Sequence, residues 1–135
     1  MNLPLKADPL HPAARKGIDL FNQKEFYESH EPLELAWMKT NSPERDLYQG
    51  ILQIGLAYYQ ITQDNFRGAI KMFKRGQRNL NPLGDSLLGV DIKSLRADAH
   101  VVEMTLRNLG PDQIHELDMR IIKPVSLIDE NLSGR

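Results

Sequence analysis

A chain of 135 residues makes about one domain, long enough to bury a core without covalent staples. It has no cysteine, which excludes a disulfide framework and a zinc–thiolate centre. Its 17 Lys and Arg against 18 Asp and Glu leave a net charge of −1, which counts against a nucleic-acid binder.

The N-terminal stretch MNLPLKADPLHPAARKG lacks the apolar run of a signal peptide, so a cytoplasmic protein is expected. Residues 1–10, with two prolines, read as an arm. Pro12 suits a helix's first turn, and Ala14, Ile18 and Phe21 give a short helix ending near Asn22. A second helix is expected from about Lys24 to Lys39. Phe26, His30, Leu33 and Trp37 share one side, with Glu34 and Tyr27 on its flank. Pro32 removes a backbone bond inside that span and predicts a kink. In NSPE, Ser42 is the expected cap and Pro43 the first position of a third helix running to Thr62. That helix is apolar nearly all round and should be central, with Gln49, Gln53 and Gln60 forming its one polar line. Its core, ILQIGLAYYQI, is too short and too rich in glutamine to cross a bilayer, so no membrane partner is expected.

QDN predicts a tight turn into a fourth helix, Phe66 to Leu80, closed by NPLG. After a loop, Asp91 caps a fifth helix up to NLGP. Residues 112–135 have weak periodicity and read as a short turn and an extended tail. The sequence therefore predicts an all-α single domain, a compact bundle of about five helices. Gly55, Tyr58, Ala69, Phe73 and Pro82 fall in a pattern like one tetratricopeptide hairpin, without a second copy.

Candidate chemistry centres on SHEPLE. His30 and Glu34 stand four residues apart on a helix, so their side chains lie one above the other on an apolar face. One reading is structural: the pair closes a buried polar network, with each other or with Gln49 and Gln53. Another is a divalent metal site with imidazole and carboxylate as two ligands, the others to come from His11, Asp64, His100, His115, a second chain or water. A third takes HEPLE as a variant of the H-E-x-x-H metalloprotease motif, against which its missing second histidine and its proline both count.

The stretch LFNQKEFYESHEPLELAW resembles the signature of the bacterial and archaeal domain of unknown function numbered 309: a histidine, a glutamate four residues on, and an aromatic three further. His30, Glu34 and Trp37 match it, and QGILQIGLAYYQ and DNFRGAI resemble its central helix and following turn. The resemblance covers about residues 15 to 80. It implies an all-helical protein and metal binding at His30 and Glu34, and supplies no reaction.

Trp37 is expected to pack in the core or a groove with its N–H bonded. Arg67, Lys71, Lys74, Arg75 and Arg78 form a basic stripe, read as a solvated face, without the interleaved aromatics of a single-strand binder. His100 and His115 read as exposed. Two function classes follow: a metal-dependent hydrolase with His30 and Glu34 as ligands, or a non-catalytic helical interaction module in which they are structural. The sequence leaves a homo-oligomer open.

Overall fold

A computed structural model describes residues 8–128. The all-α class holds: five α-helices follow in order among these residues, α1 Pro12–Asn22, α2 Phe26–Met38, α3 Glu44–Thr62, α4 Phe66–Leu80 and α5 Ile92–Leu109. No helix is long and apolar enough to cross a membrane, among the described residues. Most of the expected arm and the end of the expected tail lie outside the described residues.

Local chemistry explains most helix ends. Asn65 Oδ1 accepts from the Gly68 N–H at 3.0 Å and starts α4, and Asp91 Oδ1 accepts from the Ser94 N–H at 3.0 Å and starts α5. The first helix is capped by His11, whose Nδ1 accepts from the Ala13 N–H at 3.0 Å. The second begins at Phe26 rather than Lys24, because Lys24 takes a left-handed φ of 64° in the preceding turn. It runs through Pro32 to Met38 as one helix. Ser42 does not cap α3. Pro43 holds the cap position after a cis peptide bond, and the Ser42 hydroxyl donates to Asp46 Oδ2 at 3.5 Å.

Two elements depart from the sequence expectation. Within the predicted loop, β1 Ser86–Leu87 and β2 Val90–Asp91 form an antiparallel hairpin, turned by Leu88 and Gly89 at φ 52° and 78°. The predicted tail contains short 3-10 turns at Pro111–Glu116 and Met119–Ile121, and its extended part is a strap fastened to the body. The Asp91 N–H donates to Ser126 O at 2.9 Å and the Ile128 N–H to Gly89 O at 2.7 Å. The Asn22 amide donates to Val125 O at 3.1 Å and accepts from the Val125 N–H at 2.8 Å.

Helices adjacent in sequence pack against one another, α1 on α2, α2 on α3 and α3 on α4. Close helix approaches leave no room for a side chain at several glycines. A Cβ on Gly17 of α1 would stand 2.5 Å from Leu33 Cγ of α2, and one on Gly76 of α4 would stand 2.6 Å from Ile54 Cδ1 of α3. Phe21, Phe26, Tyr58 and Phe73 join four helices edge to face, with centroids 5.4–5.8 Å apart. α3 is central: Leu47, Ile51, Ile54, Ala57 and Tyr58 are fully buried.

Candidate functional site

On α2 the buried positions are Phe26, Ser29, Leu33 and Ala36. Turning about 100° per residue from that stripe places Trp37, His30, Glu34 and Tyr27 on one flank. Their contacts direct this flank toward α3. Tyr27 stacks at 5.0 Å on Tyr59, and the Arg45 guanidinium lies over Trp37 at 5.1 Å. His30 and Glu34 are half-buried between these two contacts. The His30 ring lies 4.9 Å from Tyr27, and its Nδ1 bonds the Tyr27 carbonyl oxygen. A carbonyl only accepts, so Nδ1 carries a proton, and in the neutral ring it is Nε2 that has the free lone pair. Trp37 differs from expectation: its Nε1–H is buried with no hydrogen-bond partner.

The glutamines turn the other way. Gln53 is 9% exposed, and its Oε1 accepts from the Asn79 amide of α4 at 2.6 Å. Gln49, Gln53, Arg75, Arg78 and Asn79 line a recess of about 260 Å³. Gln60 accepts instead from the Asn65 amide at 2.9 Å. Among the described residues no hydrogen bond joins Gln49 or Gln53 to His30 or Glu34. α3 therefore divides the predicted polar cluster into an imidazole–carboxylate side and an amide–guanidinium side.

Structural zinc sites take four protein ligands, and catalytic ones about three with an open position. His30 and Glu34 are two. No group of three or more His, Cys, Asp or Glu able to hold a metal occurs among the described residues. His11 is spent on capping α1, and His100 and His115 are exposed, as expected. The donors among the described residues of one chain do not complete a resident metal site.

Charge is segregated across α3. From Glu25 to Met38 the chain has Glu25, Glu28, Glu31 and Glu34 and no Lys or Arg. α4 has Arg67, Lys71, Lys74, Arg75 and Arg78 and no Asp or Glu. The basic side chains serve two surfaces rather than one stripe: Arg75 and Arg78 line the recess, while Arg67, Lys71 and Lys74 border a shallow trough with Phe66 and Ile70. The recess pair carried no sequence signal separating it from the rest of the stripe. Its place on α4, beside the Gly76 contact with α3, selects it.

No curated protein matches the chain. The family model described as a domain of unknown function matches residues 14–72, which span all but the first residues of α1, the whole of α2 and α3, and the start of α4. The segment that carries His30, Glu34, Trp37 and the glutamine line is thus the part of the chain that is similar to the domain of unknown function DUF309.

Proposed function

We propose that this domain is a non-catalytic interaction module that takes a carboxylate-bearing segment of a protein partner into the recess between α3 and α4. The observation that carries this reading is the recess lining: two guanidiniums and three amides, with no carboxylate among them. Guanidinium binds carboxylate through paired parallel N–H donors, and neighbouring amides fix its orientation. In this reading His30, Tyr27 and Tyr59 are a structural stack that holds α2 to α3.

A glutamate-rich peptide carrying a fluorophore, titrated with the full chain, tests the proposal. It should bind, weaken as salt rises, and lose at least about tenfold in affinity with Arg75→Gln and Arg78→Gln together. An affinity unchanged by those substitutions would reject the recess.

The metal-dependent hydrolase has one observation in its favour: the Tyr27 carbonyl holds His30 in the tautomer whose Nε2 is available to an ion. A zinc titration monitored by His30 ring resonances distinguishes the two. Saturable binding lost in both His30→Ala and Glu34→Ala supports the metal reading. Shifts no larger than those of exposed His100 and His115 support the module.

A further inference from the structure

The α2–α3–α4 face carries opposite charges on its two edges, and the charges are level with each other. On α2, Glu31 and Glu34 lie between Ser29, which packs at Gly55 of α3, and Trp37, which packs at Arg45. They therefore stand beside the middle of α3. On α4, Gly76 packs at Ile54 and Leu80 at Gly50, so Arg75 and Arg78 stand beside that same stretch. The order also agrees. Glu34 and Arg78 lie toward the N-terminus of α3, and Glu31 and Arg75 toward its C-terminus. Among the described residues none of these four side chains has an ion-pair partner. Between the two edges, half-buried Leu52 and Leu56 of α3 supply an apolar strip.

We propose that this face is the interface of a homodimer whose twofold axis runs parallel to α3. Rotation about that axis turns the face over, preserves position along α3 and exchanges the α2 and α4 edges. Glu34 then meets the partner's Arg78 and Glu31 meets the partner's Arg75, twice over by symmetry, as an isologous interface requires. An axis running across α3 would instead set acid on acid and base on base. The proposal rests on the recess as a carboxylate site and names its carboxylates as those of a second copy. The area agrees with a modest association. α3, at 19 residues, is about 28 Å long, and three helices spaced about 9 Å apart span about 20 Å. That gives on the order of 500 Å² per protomer, near the lower limit for a specific pair, so dimerisation should depend on concentration and salt.

Sedimentation of the full chain over a range of concentrations, at low and high salt, tests this. At low salt the mass should rise toward twice the 15.4 kDa of one chain, and high salt should return it to one. Glu31→Arg with Glu34→Arg should be monomeric, and so should Arg75→Glu with Arg78→Glu. An equimolar mixture of the two variants should dimerise again, because each acidic edge then faces a basic one. If a double exchange costs the helical fold, the single exchanges Glu34→Arg and Arg78→Glu repeat the same cross. A wild-type chain that stays monomeric at the highest concentration overturns the proposal, as does a mixture that fails to associate. The two readings fail separately. A monomer that still binds the glutamate-rich peptide through Arg75 and Arg78 keeps the recess and loses the second copy. A monomer that binds no peptide loses both.

Discussion

Tyr58 buries a hydroxyl among the rings of Phe21, Phe26 and Phe73, at 0% exposure and with no hydrogen-bond partner. Burial, with a smaller contribution from the charge of Asp98, drives its pKa far above the usual tyrosine range. An unpartnered buried hydroxyl costs about 1–3 kcal/mol in desolvation, whereas one in a hydrogen bond contributes about 1 kcal/mol. Tyr58→Phe should therefore stabilise the domain by up to about 1 kcal/mol in urea unfolding. A loss of that size would instead reveal a water bonded to the hydroxyl. The inward placement of Tyr58 was legible from the 3.6-residue period, as it was for Trp37. The fate of their polar atoms was not, because the neighbours that surround them belong to other helices. Caps divide along the same line. Asn65 and Asp91 act on an N–H three residues ahead, which the sequence displays, whereas histidine is not among the favoured caps and His11 gave no such sign.

At the scale of elements, α4 was readable to the residue because the QDN turn and NPLG bracket a strongly two-sided helix. The β1–β2 hairpin was not. Each strand is two residues, too short for an alternating pattern, and its turn uses Leu88 at positive φ, where glycine or asparagine would have announced it. The strap escaped for another reason: its order comes from partners far away in sequence. Asn22 is the clearest of these, satisfying both the N–H and the carbonyl of Val125. Asn22→Ala should cost about 1–2 kcal/mol, since two partly buried backbone groups lose their partner together. Hydrogen exchange at the Val125 amide should accelerate more than at any amide within α3. If the two rise equally, the strap is no separate unit and opens only with the whole domain.

For the molecule as a whole, apolar periodicity and length made the all-α class plain. What one sequence could not display is how α2 and α4 lean across α3. That packing is set by close approaches at Gly55 for α2 and at Gly50 and Gly76 for α4, and it decides that Gln53 meets Asn79. The strap also bears on how the protein is made. Contacts between α1 and α2, α2 and α3, and α3 and α4 join neighbours in sequence, so each can form while the chain is still leaving the ribosome. The Asn22 amide has to wait for Val125, 103 residues later. During translation the end of α1 therefore lacks this fastening, and the last turn of the nascent helix gains it only after α2 to α5 have been made.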